Sequence, residues 1–155
     1  MTSPADRGKV AEALLQKQFK LLDAKDSYFT WERIYDARSS RGAMANPRTG
    51  DFVLYNRGDN TVLEVKEVDH EYRLPKANFG KDQRARMIKR AYAGSLCYVA
   101  VYFTPIKAWR LLEMPYFGAE ETGSWDMRDQ SLYDMPRLIA ALYEEVKVRK
   151  AGWKP

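Results

Sequence analysis

Apolar residues recur at helical spacing near the start of the chain, through Ala11, Leu14, Leu15, Phe19 and Leu22, and predict a helix ending near Asp23. Ser3-Pro4-Ala5-Asp6 supplies its start, with a capping hydroxyl, proline in the first turn and an acid three residues on. Glu12 lies at the margin of the apolar stripe. Tyr28 to Tyr35 reads as a strand, and Ala37 to Gly50, with Ser39, Ser40, two glycines and Pro47, reads as a polar loop. Two β-branched and aromatic runs, Phe52 to Tyr55 and Val62 to Val68, flank Asn56-Arg57-Gly58-Asp59-Asn60, which predicts a hairpin centred near Gly58. Leu74 to Asn78 is expected to be irregular. A helix follows from Phe79 to Ala93, ended by Gly94, with Ala85, Ile88, Ala91 and Tyr92 as its apolar face and Gln83, Met87 and Arg90 along another. Leu96 to Phe103 is apolar on both faces, as a covered central strand would be. Trp109 to Met114 suits an edge strand, Gly118 to Ser131 carries little pattern, and Pro136 to Lys150 predicts a closing helix with Leu138, Ile139, Leu142 and Val146 inward. The fold class is therefore α/β, a mixed central sheet flanked by helices.

Composition narrows the function more by exclusion than by assertion. At 155 residues and 45% apolar content, a single domain with a substantial core is expected over residues 1–155. Its core would span about residues 7–114, with the closing helix at about 136–150. No apolar segment approaches the ~18 residues that cross a bilayer, and Met1 to Val10 has no hydrophobic leader, so a cytoplasmic protein without membrane association is expected. One cysteine, Cys97, excludes a disulfide framework and a cysteine zinc cluster; one histidine, His70, leaves histidine zinc sites and Ser-His-Asp triads without support. There is no glycine-rich phosphate loop.

The charge excess of 26 basic over 21 acidic residues is unevenly spread. Lys81, Arg84, Arg86, Lys89 and Arg90 crowd one helix, and Arg33, Arg38, Arg41, Arg48 and Arg57 punctuate the region before the second hairpin strand. This predicts one electropositive side able to meet a phosphate backbone, with a merely solvated helix face as the alternative. Arg7, Arg38, Arg41, Lys76, Lys81, Arg84 and Lys89 are the candidate DNA contacts.

Glu64-Val65-Lys66 carries the chemistry. Residues two apart on a strand share a face, so the carboxylate and the ammonium project together. Taken alone, this is an ordinary solvated charge pair. The hairpin changes the picture, because antiparallel pairing sets Asp51 across from Glu64 or Val65, close enough for the two carboxylates to share a cation. A hard divalent ion such as Mg²⁺ takes oxygen ligands, here Asp51, Glu64 and the Val65 carbonyl, with Glu12 completing the shell or holding a second ion. Lys66 would orient a water or stabilise charge on a phosphorane-like transition state, and Ser39 and Ser40 could touch phosphate.

In that order, Asp51 followed by Glu64-Val65-Lys66 resembles the PD-(D/E)xK nuclease core, although Pro47 precedes Asp51 by four residues rather than one. Arg7-Gly8-Lys9-Val10-Ala11-Glu12 resembles the first-helix motif of cellular-type Holliday junction resolvases. Leu74-Pro75-Lys76-Ala77-Asn78-Phe79, with Asp82-Gln83, is similar to a bacterial RecU segment, Asp82 standing where a histidine is usual. Gly94 to Val99 resembles the glycine-then-strand segment that follows there, so the likeness spans Arg7 to Phe103. The loop before Asp51 is shorter than in RecU and closer to the archaeal Hjc enzymes, in which a serine of this loop joins the site, and Ser39 or Ser40 is the candidate. The resemblance implies a restriction-endonuclease-like fold and a catalytic set of Glu12, Asp51, Glu64, Lys66 and Gln83 with that serine. It implies a homodimer that cuts opposed strands of four-way DNA junctions with Mg²⁺ or Mn²⁺. A compact chain of this kind would suit a phage genome. A related nuclease acting on linear, branched or damaged DNA, and a non-catalytic basic DNA-binding module, are the alternatives.

Overall fold

The computed structural model describes residues 4–34, 51–79, 81–114 and 123–149. Helix α1 (Pro4–Lys25) leads into strand β1 (Phe29–Arg33), the hairpin β2 (Phe52–Asn56) and β3 (Asp59–Val68), and a short strand β4 (Arg73–Pro75). A single 3-10 turn (Lys76–Asn78) precedes helix α2 (Lys81–Tyr92), and then come β5 (Leu96–Phe103), β6 (Ala108–Glu113), β7 (Ser124–Asp126) and helix α3 (Met135–Arg149). Five strands form one sheet in the order β1-β2-β3-β5-β6, and β4 and β7 make a separate two-stranded ribbon. Among the described strands only β3 and β5 pair in parallel, and the chain makes the crossover that such a pair requires through α2. The expected mixed α/β sheet flanked by helices is the fold observed.

The side-chain period of two divides β3 cleanly. Leu63 and Val65 face α1 and α3, in a core with Ala11, Leu15, Phe19, Phe29, Phe52, Leu54, Trp109, Leu138 and Leu142. Val62 and Val68 face the other way, toward α2, with Val99, Val101, Met87, Phe79 and Leu74. β5 is buried along both faces because a helical layer covers each, which explains its unbroken apolar run. On the α1 side the core is aromatic: Phe19 meets Phe52 edge-on at 5.3 Å and Trp31 at 6.1 Å. Each such side chain contributes roughly 1.5–3 kcal/mol by burial.

Two turns fix the frame. Arg57 (φ 53°) and Gly58 (φ 88°) both take positive φ, the two-residue hairpin geometry whose twist matches the flanking strands. At the end of α2, the Ser95 amide donates to the Arg90 carbonyl and the Gly94 amide to the Ala91 carbonyl, a Schellman cap that needs the left-handed backbone Gly94 adopts.

Several sequence expectations are corrected here. Leu74 to Asn78 is not irregular, since Leu74 pairs with Trp125 in the β4–β7 ribbon, and the patternless stretch around residue 124 holds the other strand. α2 turns a different face inward: Met87 is fully buried and Ile88 and Ala91 half-buried, whereas Ala85 is exposed and Tyr92 is 77% exposed. On α1, Leu14 is exposed while Ala11, Leu15 and Phe19 are buried. Phe79 stays outside the helix as the residue closing the 3-10 turn.

Candidate active site

The hairpin register decides where the two acids meet. Phe52 pairs with Leu63, so Asp51 stands one residue beyond the ladder, beside the Leu63-Glu64-Val65 stretch of β3. The Asp51 amide donates to the Leu63 carbonyl at 2.8 Å, and the Val65 amide donates to Asp51 Oδ2 at 2.7 Å. The Asp51 carboxylate is thereby pinned to β3 at the point where β2 begins. A residue's amide and carbonyl leave an extended strand on the same edge, so the Val65 carbonyl turns toward the Asp51 side as its amide does.

Glu64 is 1% exposed, as is Asp51. It follows the even-numbered alternation of β3 and points to the α2 face. Lys66 Nζ lies 3.0 Å from Glu64 Oε1, yet neither Glu64 carboxylate oxygen has a hydrogen-bond partner among the described residues. A buried carboxylate left without hydrogen bonds costs several kcal/mol unless a cation compensates it. Glu64, with one ammonium beside it and no hydrogen bond among the described residues, offers carboxylate oxygens that a divalent cation would take as ligands. Asp51, Glu64 and the Val65 carbonyl therefore fit a hard metal ion.

Lys66 is held from its other side. Its Nζ sits 4.7 Å from the centroid of the Phe79 ring, and its side chain is 16% exposed, so the ammonium is placed while still reaching solvent. Gln83 lies on the same side of the sheet. It is half-buried, one helical turn before the fully buried Met87, on the stripe of α2 that faces the strands.

Glu12 is not brought into this group. It forms an ion pair with Arg33, whose guanidinium stacks over Phe52 at 5.4 Å, on the α1 side of the sheet. Among the described residues, no three acids, histidines or cysteines gather to hold one ion. Two of the expected DNA contacts are also placed inward. Arg84 and Lys76 are each 8% exposed, with Lys76 Nζ 5.1 Å above the Trp125 ring, so neither presents a free cation to a phosphate backbone. Lys89 is exposed on α2, as expected. Ser39, Ser40, Arg38, Arg41 and Pro47 lie outside the described residues, as do the side chains of Arg7 and Lys81. Cys97 is buried in the α2-side core, where burial pushes its thiol up to about 11, an inert group.

The contacts that sequence reasoning missed are Phe79 under Lys66, Trp125 behind Phe79, and Arg33 on Glu12. The Leu-Pro-Lys-Ala-Asn-Phe segment marked Phe79 as notable without giving its task. Nothing in the pattern around Trp125 pointed to this site.

No family model and no curated protein matches the chain. Among solved structures it is similar to Hjc of Archaeoglobus fulgidus, described as a Holliday junction resolvase from an archaeal hyperthermophile, with 20% identity and a TM-score of 0.48. The match covers 81% of this chain and 88% of that one. Among the described residues, no helix is long and apolar enough to cross a membrane.

Proposed function

We propose that the chain is a metal-dependent endodeoxyribonuclease of the PD-(D/E)xK kind, with a restriction-endonuclease-like core, that resolves four-way DNA junctions. The observation that carries the nuclease reading is the Glu64 carboxylate. It is buried on β3 next to Val65, whose amide holds the Asp51 carboxylate, has no hydrogen bond among the described residues, and lies beside an ammonium packed on an aromatic ring. A carboxylate that served only the fold would be hydrogen-bonded.

Asp51, Glu64 and the Val65 carbonyl would hold Mg²⁺ or Mn²⁺, which when bound polarises the scissile phosphate and acidifies a water. Lys66 supplies a fixed positive charge where negative charge grows on the phosphoryl oxygens, and positions the attacking water by hydrogen bonding. Gln83, on the same side, would orient that water or the phosphate. Glu12 would act from outside the metal pair, through Arg33. Exposed basic groups such as Lys89 would meet the DNA backbone. The order of motifs from Arg7 to Val99 supports the junction as substrate, and symmetric cutting needs a homodimer with two such sites. Action on DNA inside the cell, with a phage genome as one source, goes with this proposal.

Cleavage of a synthetic four-way junction and a matched linear duplex, with Mg²⁺ and with EDTA, tests it. Metal-dependent cutting of the junction in preference to duplex is expected. Cutting of duplex alone would point to a restriction- or repair-like nuclease, and binding without cutting to a DNA-binding module. Linearisation rather than nicking of a cruciform plasmid would report paired incision.

A further inference from the structure

We propose that Phe79 and Trp125 are positioning residues for the Lys66 ammonium, and that the β4–β7 ribbon serves to brace them. The proposal rests on the nuclease reading of the Glu64–Lys66 site and gives a task to an element which that reading leaves unused. Four side chains run from the site to the ribbon in sequence. Lys66 Nζ lies 4.7 Å over the Phe79 ring, and Phe79 meets Trp125 edge-on at 5.8 Å and 84°. Lys76 Nζ lies 5.1 Å over the Trp125 ring at the far end. A cation therefore faces each aromatic ring, and the two rings are in contact.

The backbone makes this row rigid. Trp125 pairs with Leu74, which is fully buried, and the Lys76 amide donates to the Gly123 carbonyl at 3.0 Å, so both ends of the brace hang on one ribbon. Phe79 closes the 3-10 turn through its amide to the Lys76 carbonyl at 3.1 Å. Lysine is a long, freely rotating side chain, and a charge that must sit within a fraction of an ångström of a reacting phosphate cannot be left to wander. Glu64 holds the ammonium on one side at 3.0 Å. The negative face of the Phe79 ring holds it on another without taking the hydrogen bonds that it needs for substrate. An aliphatic residue in place of Phe79 would fill space but offer no such face. In place of Trp125 it would let Phe79 tilt.

Single-turnover cleavage at saturating DNA, DNA affinity, and the ¹H–¹³C resonance of the Lys66 ε-methylene form the test. The ring current of Phe79 should displace that resonance in the wild-type chain. Phe79→Leu should remove the displacement and slow cleavage by about ten- to a hundredfold, and Trp125→Leu should shift the resonance and slow cleavage by about tenfold. DNA affinity should stay within about twofold in both, as for a group that acts on the transition state alone. Phe79→Tyr and Trp125→Phe, which keep an aromatic face, should restore rate and resonance together. A folded Trp125→Leu chain with wild-type rate would overturn the proposal, as would slowed variants whose Lys66 resonance has not moved. If the wild-type chain cuts no DNA, the nuclease reading fails by itself. The resonance still decides the brace, which is lost if Phe79→Leu leaves it in place.

Discussion

Two acid–base clusters in this molecule, one half-buried and one buried, are built from similar parts and differ in how completely they are bonded. At the hairpin end, Asp26 accepts hydrogen bonds from the Tyr28 amide at 2.9 Å, from Arg57 Nη1 at 3.1 Å and from the Tyr143 hydroxyl. Arg57 also donates to Asn56 Oδ1 at 2.7 Å and to Tyr143 at 3.1 Å, with its guanidinium 5.6 Å from the rings of both Tyr28 and Tyr143. This cluster ties the hairpin turn to the end of α1 and to α3, and holds Arg57 in a left-handed backbone conformation that would otherwise cost about 1–2 kcal/mol. At the other end of the hairpin, Glu64 has one ammonium beside it and no hydrogen bond among the described residues. The saturated cluster is explained by the fold. The unsaturated one asks for a ligand, and the contrast separates a structural charge pair from a site more sharply than burial alone.

The largest expected effect breaks the unsaturated side. Glu64→Gln should lower single-turnover cleavage by at least about 10²–10³-fold, while thermal unfolding stays unchanged or moves up, because a buried charge without hydrogen bonds among the described residues is removed. Cleavage at the wild-type rate would displace the site. The reverse holds for the saturated side. Asp26→Asn should cost about 1.5–3 kcal/mol in denaturant unfolding, since charged hydrogen bonds are lost, and leave the rate per folded molecule alone.

Divalent metal should distinguish the clusters next. Mg²⁺ at a hundred times its Kd should stabilise the wild type by about 2.7 kcal/mol, with little gain in Glu64→Gln and a full gain in Asp26→Asn. Acid gives a smaller contrast. Burial pushes the Asp26 carboxyl up, but hydrogen bonds from Tyr143, the Tyr28 amide and Arg57 outweigh it and hold it below its ordinary value of 3.8. Its contribution is thus present above about pH 3.8 and lost as pH falls through the lower folded-state value. The stability difference between wild type and Asp26→Asn should shrink over that window; a difference that persisted below it would show that Asp26 acts through shape. The smallest effect belongs to the surface. Lys89→Ala should reduce the salt slope of DNA binding by about one, whereas Arg84→Ala should lower stability and barely move that slope. Equal slopes for Lys89→Ala and wild type would take α2 off the DNA.

How much of this was legible in the sequence depended on how local each feature is. The hairpin and the meeting of Asp51 with the Glu64–Val65 stretch of β3 were readable because a turn and a period of two fix register over a few residues. The structure sets Asp51 against Leu63 through its amide and against Val65 through its carboxylate. The β4–β7 ribbon was not readable, since three residues on each side carry no period and find each other across a long separation. Nor was the inward face of α2: Ala85 and Tyr92 are apolar enough to be read as core, and only packing against β5 shows Met87 there instead. Lys76 and Arg84 read as surface charges because sequence reveals that a residue is cationic, not whether a ring or a partner covers it.

The sequence by itself determined the order of the three helices and the five strands of the main sheet, the doubly covered central strand, and the pairing of one acid with Glu64-Val65-Lys66, because these follow from periodicity and local turn chemistry. Tertiary structure alone decided that Glu12 turns to Arg33 on the far side of the sheet, that Glu64 has no hydrogen bond among the described residues, and that Lys66 rests on Phe79 with Trp125 behind it. Those outcomes depend on which elements share a layer and on how buried charge is compensated there.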